Sequence, residues 1–293
     1  MVEATNARIT PGLLARLREW EGRSEALTDD VTPAPVRALS ATLDRDDADP
    51  APGTPLPPLW HWLYFLPRHR QSELGPDGHA RLGGFLPPVP LPRRMWAGGR
   101  LQWNAPLQVG DAIERNSRIV SVTHKAGRTG DLVFVLVRHE VRNAGGVAVT
   151  EEHDIVYRAP PQPGDAVPPP QAAPGESAWS REIVPDDVLL FRYSALTFNG
   201  HRIHYDRQYV TEVEGYPGLV VHGPLIATLL VDLLRREMPQ AKLRSFSFKA
   251  VRPTFDLHAF RVRGQPSPDG RNVRLWAQDH EGWLTMQADA TIE

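Results

Sequence analysis

Apolar residues recur at helical spacing just past residue 224, and this is the clearest pattern in the chain. They form a stripe two residues wide, made of Leu225, Ile226, Leu229, Leu230, Leu233 and Leu234. Pro224 suits the first helical position, where its missing N–H costs nothing. Arg235 and Arg236 suit the last turn, and Pro239 stops the helix. The other faces are also small or apolar, so the pattern predicts an enclosed helix.

Gly223 stands directly before this stripe. The first N–H groups of a helix have no partner within it, and the helix dipole favours negative charge beside them. The Gly223 N–H is therefore a candidate donor to a carbonyl oxygen on which negative charge builds. The alternative is that Gly223 only permits a tight turn.

Shorter patterns predict the remaining elements. Helices are expected at residues 11–24, 34–43 and 188–195. Alternating apolar and polar positions predict strands at 100–103, 112–122, 132–141, 147–157, 244–251, 258–264, 272–279 and 283–292. Residues 143–146 are a hairpin signal. The aromatic run at 60–65, inside a proline-rich stretch from 50 to 92, predicts either a strand or a packed loop.

A helix followed by antiparallel strands occurs twice along the chain. Residues 106–113 and 253–260 are weakly similar, and each stretch introduces a strand. This order predicts a duplicated α+β unit. Between the two units, residues 159–175 hold seven prolines and are otherwise polar, which predicts a semi-rigid linker.

Composition narrows the functional classes. The 293 residues are 41% hydrophobic and 23% charged, as in a globular protein, and a net charge of −2 argues against a nucleic-acid surface. No apolar run is long enough to span a membrane, and the N-terminus has no secretory pattern. Zero cysteines exclude thiolate catalysis and cysteine-ligated metals. A cytoplasmic protein with no membrane or nucleic-acid partner is expected.

The candidate chemistry lies in residues 199–206, called here the 199–206 segment, and in His222-Gly223. A neutral imidazole can deprotonate a water and later return the proton, and His204 is the strongest candidate for this role. Asn199 cannot act as a base but can hold the same water. Asp206 either orients an imidazole or caps the next turn.

Two other kinds of chemistry fit less well. The chain lacks a G-x-S-x-G nucleophile motif, which argues against nucleophilic hydrolysis. Zinc bound by His201, His204 and His222 matches no ligand spacing, so no metal site is expected. A basic stretch at 242–252, which includes Lys249 and Arg252, predicts either a phosphate contact or a solvated sheet edge.

The 199–206 segment followed by His222-Gly223 resembles the MaoC-like hydratase/dehydratases of the hotdog superfamily. Their motif has the form D-x-N-P-x-H-x-D, and some fifteen residues later an H-G opens the central helix. This chain retains His204, Asp206 and His222-Gly223, but it has Asn199 at the motif's first acid and His201-Arg202 at its Asn-Pro. The variant F-N-G-H-x-I-H-Y resembles the branch of mesaconyl-C4-CoA/itaconyl-CoA hydratases and mitochondrial-type 3-hydroxyacyl-thioester dehydratases.

The resemblance implies an α+β double hotdog, with two antiparallel β-sheets each wrapped around a central α-helix. It implies a degenerate N-terminal hotdog at 1–158 that keeps the acyl pocket, a linker at 159–179 and a catalytic hotdog at 180–293. His204 and Asn199 would hold the catalytic water, and the Gly223 N–H would polarise the thioester carbonyl. Either His204 does both proton transfers, or His201 takes the missing acid's share.

The leading hypothesis is a hydratase/dehydratase of a CoA thioester, with a short branched dicarboxylyl group. Arg202 is predicted to pair with the free carboxylate, although a surface arginine is equally open. His222, Lys249 and Arg252 are the other candidates for contacts with substrate or CoA. No cofactor is expected, since CoA is part of the substrate. A hotdog thioesterase and a non-catalytic acyl-CoA binding protein are the alternatives, and the chain is expected to be a monomer (a pseudo-dimer) or a homodimer.

Overall fold

Ten antiparallel strands and four α-helices make up the protein in a computed structural model, which describes residues 8–127, 130–159 and 169–293. The helices are α1 Pro11–Arg18, α2 Pro33–Thr42, α3 Asp187–Leu196 and α4 Gly223–Glu237. The strands are β1 Ser24–Asp30, β2 Arg93–Trp103, β3 Ala112–Gly127, β4 Gly130–Asn143, β5 Gly146–Arg158, β6 Trp179–Ile183, β7 Leu243–Ala250, β8 Phe260–Pro266, β9 Asn272–Gln278 and β10 Leu284–Ile292. No helix within these described ranges is long and apolar enough to cross a membrane.

The strands form one continuous sheet in the order β1-β3-β4-β5-β2-β7-β10-β9-β8-β6. Outward from the central β2–β7 pair, β5, β4, β3 and β1 on one side match β10, β9, β8 and β6 on the other. The duplicated unit expected from the sequence is visible in this symmetry. The two predicted sheets join along β2 and β7, so the double hotdog has a single ten-stranded sheet.

The junction between the halves depends on two adjacent glycines in β2. A Cβ at Gly98 would lie 2.5 Å from the carbonyl oxygen of Phe248, and one at Gly99 would lie 2.9 Å from that of Glu152. The glycines let neighbouring backbones approach closely. The sequence predicted only residues 100–103 of this strand, because arginines and glycines in its first half mask the alternation.

Helix α4 lies in the main hydrophobic core and packs against β6, β8, β9 and β10. Every residue from 225 to 234 is buried, which confirms the predicted enclosed helix. Asp232 is buried within it and pairs with Arg45 at 2.7 Å, Arg181 at 2.9 Å and Arg236 at 2.8 Å. These pairs compensate the buried carboxylate and tie α4 to both halves of the chain.

The N-terminal half has only one helical turn where the C-terminal half has α4. An isolated bridge between Val220 and Phe255 precedes α4, and a similar bridge between Pro55 and Gln108 precedes a 3₁₀ turn at Trp60–Leu63. All residues of the aromatic run at 60–65 except Trp62 are buried. The packed-loop prediction for this run is therefore confirmed, and the strand prediction is wrong.

Three sequence predictions need correction. Helix α1 ends at Arg18, not near residue 24, because the chain turns at Gly22 (φ +84°) and bonds to Ile119 of β3. Strands β1 and β6 were missed: β1 is mostly exposed, and β6 carries a charged residue at an inward position. The basic strand β7 is central rather than a sheet edge, so the solvated-edge alternative is wrong.

Candidate active site

The N-terminus of α4 leaves room for a side chain at its first residue. His222 precedes the helix with φ −58° and ψ 126°, and Gly223 is its first residue. Among the described residues, no hydrogen-bond acceptor is paired with the Gly223 N–H. A Cβ at Gly223 would meet nothing closer than the Trp96 carbonyl oxygen at 4.0 Å, and Gly223 does not have a positive φ. The tight-turn alternative therefore does not explain this glycine.

His204 is held beside this helix end with a defined tautomer. The 199–206 segment joins the chain before α4 through a bond from the Val220 N–H to the Ile203 carbonyl (3.0 Å). The His204 Nδ1 lies 2.7 Å from the Val220 carbonyl oxygen, which can only accept. The proton of the neutral ring is thus on Nδ1, and Nε2 keeps its lone pair. Within the described residues Nε2 has no partner, and it is not fully enclosed.

Four imidazoles form a row through this region, called here the histidine row: His222, His204, His201 and His79. The His222 and His204 rings stack at 3.7 Å with an interplanar angle of 18°. His201 lies 5.3 Å from His204 and 4.1 Å from His79, measured between ring centroids. At the far end, the Ser194 hydroxyl bonds to the His222 Nε2 (2.8 Å). His204, whose Nε2 is accessible, lies between two flanking rings.

Burial keeps the histidine row neutral near pH 7. Desolvation lowers the pKa of His204 to about 4, despite its bond to Val220. Desolvation and the neighbouring His79 and His204 lower the pKa of His201 to about 2. Desolvation also lowers the pKa of His79, and it lowers that of His222 well below its usual value. A neutral imidazole can accept a proton, so His204 is in the form that a general base requires.

These depressed pKa values predict that stability falls in acid. Unfolded histidines titrate near pH 6.5, whereas His204 stays neutral in the folded state until about pH 4. Between these values the unfolded state binds more protons than the folded state. The free energy of unfolding is therefore highest above pH 6.5 and decreases as pH falls toward 4. His204 alone accounts for roughly 3 kcal/mol of this decrease. Thermal melts from pH 8 to 4 should show this fall. It should be smaller in His204→Gln and unchanged in His69→Gln, since His69 is exposed. A melting temperature that does not vary with pH would contradict the lowered pKa values of the histidine row.

His201 lies beside His204, with 5.3 Å between the ring centroids, and Asn199 bonds to the backbone of His201. The Asn199 carboxamide oxygen accepts from the His201 N–H (3.0 Å), which leaves its NH₂ group to donate. An amide cannot accept the proton of a water, so Asn199 is suited to positioning. The residue before it, Phe198, has φ +49°, an uncommon conformation for a side chain of this size. Roles for Asn199 and His201 stay predictions.

The predicted substrate-binding residues lie in different environments. The Arg202 guanidinium bonds to Asp206 (2.8 Å) and the Pro76 carbonyl (3.0 Å), and it covers the Tyr209 ring at 4.1 Å. His222 is fully buried. Lys249 is exposed on β7, and Arg252 lies 3.5 Å from Asp279. Arg202 and His222 thus have structural partners, and contacts of Lys249 and Arg252 with CoA stay predictions.

The proline-rich loop between residues 64 and 92 also reaches this region, although no pattern in the sequence indicates it. This loop brings Asp77 and His79 beside His201, and one ligand atom from each of the three residues lies within 4.8 Å of the others. The group differs from the histidine trio considered for zinc in the sequence. A short Asp-Gly-His stretch carries no signal of a contact with a segment so distant in the chain.

Comparison with known proteins agrees with the family resemblance of the motif. The family model for hydroxyacyl-thioester dehydratase type 2 matches residues 59–256. A mesaconyl-C(4)-CoA hydratase from Chloroflexus aurantiacus is 47% identical over 274 residues, which cover 94% of this chain and 96% of that protein. The resemblance predicted from the motif is confirmed, and so is the predicted class, a hydratase/dehydratase of acyl thioesters.

Solved structures support the fold. HtdX of Mycobacterium tuberculosis superposes with a TM-score of 0.63 at 17% identity, covering 92% of this chain and 99% of that one. Another M. tuberculosis protein, described as having a double hotdog fold, gives a TM-score of 0.57 at 14% identity over 93% and 96% of the two chains. On the family match, the close relative and this shared fold, the chain belongs to the hydroxyacyl-thioester dehydratase type 2 family.

Proposed function

We propose that this enzyme adds water across the Cα=Cβ bond of mesaconyl-C4-CoA or a closely related branched dicarboxylyl-CoA. The observation that carries the proposal is the arrangement around α4. The accessible His204 Nε2 belongs to a ring stacked on His222, and the next residue presents the unpaired Gly223 N–H. A base and an oxyanion donor are thus adjacent, as conjugate addition to a thioester requires.

The chemistry balances with these two groups. His204 Nε2 takes a proton from water as the water oxygen bonds to Cβ. The π electrons of Cα=Cβ move toward the thioester oxygen, where the Gly223 N–H and the helix dipole stabilise the enolate. The enolate then collapses, and Cα takes a proton. If that proton comes from His204, the imidazole returns to neutral and one water has been added. Dehydration follows the same steps in reverse.

The acyl preference rests on the similarity to the Chloroflexus hydratase and on an aromatic group beside the site. Trp62, Trp96 and Phe248 contact one another, with the two tryptophan ring centroids 5.1 Å apart. Trp96 also lies next to Gly223 through its carbonyl oxygen. Trp62 and Trp96 come from the N-terminal half, which supports the proposal that this half supplies the wall of the acyl pocket. A small branched acyl group suits an aromatic wall close to the helix end.

A free carboxylate on the substrate needs a cation, and Arg94 fits better than Arg202. Each nitrogen of the Arg202 guanidinium already donates to Asp206 or to the Pro76 carbonyl. Arg94 is half-buried on β2, and its charge helps lower the pKa of both His79 and His201. Within the described ranges Arg94 forms no salt bridge, and the Tyr157 hydroxyl is its neighbour. We therefore propose that Arg94 binds the carboxylate that mesaconyl-C4-CoA carries on Cβ.

We expect Arg94→Gln to raise KM for mesaconyl-C4-CoA by about tenfold or more, since a charge-assisted bond contributes roughly 1.5–3 kcal/mol. Crotonyl-CoA, which lacks the carboxylate, serves as the matched substrate, and its KM should change little. Steady-state kinetics on both esters measure the difference. An equal rise in KM for the two esters would mean that Arg94 acts in folding or in CoA binding instead.

The proposed reaction is tested by the products formed from a panel of enoyl-CoA esters. We expect mesaconyl-C4-CoA to gain the mass of one water with the thioester intact and with loss of enoyl absorbance. Release of free thiol, detected with DTNB without hydration, would show a thioesterase. Tight binding of the esters without turnover of enoyl or hydroxyacyl forms would show an acyl-CoA binding protein.

A further inference from the structure

The N-terminal half reaches into the proposed active site through residues 75–79, called here the Asp77 loop. The Arg202 N–H donates to the Asp77 carbonyl (2.9 Å), and the Arg202 guanidinium donates to the Pro76 carbonyl (3.0 Å). Gly78 has φ +88°, and a Cβ there would lie 1.8 Å from the Gly200 carbonyl oxygen. The backbone of the Asp77 loop therefore packs directly on the backbone of the 199–206 segment, and only glycine fits at residue 78.

This docking fixes an ionised carboxylate at the end of the histidine row. The Asp77 side chain bonds to the His79 Nδ1 (3.0 Å) and accepts from the His79 N–H (3.1 Å). Burial alone would raise the pKa of Asp77, but its bonds with His79 hold that pKa at about 2. The His79 ring then lies against His201 at 4.1 Å. Asp77 is thus oriented by its own loop and is negative at neutral pH.

Water addition at this site requires a negative charge near the histidine row. Asn199 stands where the resembling motif has its first acid, and a carboxamide carries no negative charge. When His204 takes the proton of water, positive charge appears in a row of buried rings that resist it. A nearby carboxylate lowers the free energy of that charged state. The negative charge of Asp77 raises the pKa of His201, against the lowering that burial causes.

We propose that the Asp77–His79 pair replaces the carboxylate missing from the 199–206 segment, so that the active site is built from both halves of the chain. Asp77 orients His79 and stabilises the positive charge that develops on the histidine row during water addition. No proton has to reside on Asp77, and the bonds made and broken are those of the proposed hydration. Asp77 and His79 are positioning residues that act through His201. The inference rests on the proposed function.

Asp77→Asn tests the pair. We expect kcat to fall by about tenfold or more, which corresponds to roughly 1.4 kcal/mol of lost transition-state stabilisation, with KM for mesaconyl-C4-CoA changed little. The acid limb of the pH profile should move to lower pH, because removing the negative charge lowers the pKa of the neighbouring imidazoles. His79→Gln should lower kcat in the same way. Glu73→Gln, an exposed carboxylate change just before the Asp77 loop, is the matched control and should behave as wild type.

Each other outcome overturns the proposal. An unchanged kcat, or a lower kcat with the acid limb unmoved and a lower melting temperature, would leave Asp77 a purely structural role. One bound zinc per chain, with activity lost on treatment with a chelator, would show instead that Asp77, His79 and His201 hold a metal. If the wild-type enzyme hydrates no thioester at all, the proposed function itself fails, which the wild-type assay distinguishes.

Discussion

Replacing His204 with alanine is expected to lower kcat for hydration of mesaconyl-C4-CoA by roughly three orders of magnitude, within the range for loss of a general acid–base group. KM should change little, because the ring acts on water rather than on the bulk of the substrate. The bond to the Val220 carbonyl leaves Nε2 as the only basic atom of this ring. Neither Asn199, an amide, nor the enclosed His222 is placed to take over the proton transfer.

Steady-state assays of His204→Ala and of His258→Ala measure this effect. His258 is exposed, packs against His280 and lies outside the histidine row, so its loss should leave kcat unchanged. A His204→Ala enzyme with near-normal kcat would remove this residue from the mechanism.

Gly223→Pro is the second change with a large expected effect. It removes a single N–H from the end of α4, and we expect a loss in kcat of about a hundredfold or more, as for removal of one oxyanion donor. Proline is favoured at the first position of a helix. His222 already has φ −58° and ψ 126°, the conformation that a residue before proline adopts. The variant should therefore fold while lacking the donor.

Gly223→Ala is the matched control for that change. It keeps the N–H, and its Cβ would have no neighbour closer than 4.0 Å. We expect activity within a few-fold of wild type for Gly223→Ala. Both variants place a Cβ at the helical residue before Pro224, so their melting temperatures should match each other. Equal losses in Gly223→Ala and Gly223→Pro would mean that the space at the helix end matters rather than the N–H.

Local patterns predicted the part of the fold that holds the site. The stripe from Leu225 to Leu234 marks α4 because an enclosed helix must be apolar on nearly every face. The predicted C-terminal strands correspond to β7 to β10, because each alternates over several residues between clear turns. His204 and Gly223 were proposed together from the sequence because the two parts of one family motif contain them, and their catalytic roles stay predictions.

Other features depend on contacts between distant segments, which no local pattern records. Strand β6 holds Arg181 at an inward position because its guanidinium bonds to the buried Asp232 of α4. Asp77 and His79 come from a loop that looks like an ordinary proline-rich connection until it docks on the 199–206 segment. Arg202 was predicted to bind substrate, yet that docking occupies its guanidinium.

The most direct test of the central claim is a crystal structure with butyryl-CoA, a saturated thioester that cannot be hydrated. We expect its carbonyl oxygen at roughly 2.7–3.2 Å from the Gly223 nitrogen. We also expect a water between the His204 Nε2 and the β-carbon. A thioester bound elsewhere, or a Gly223 N–H already bonded within the protein, would contradict that claim.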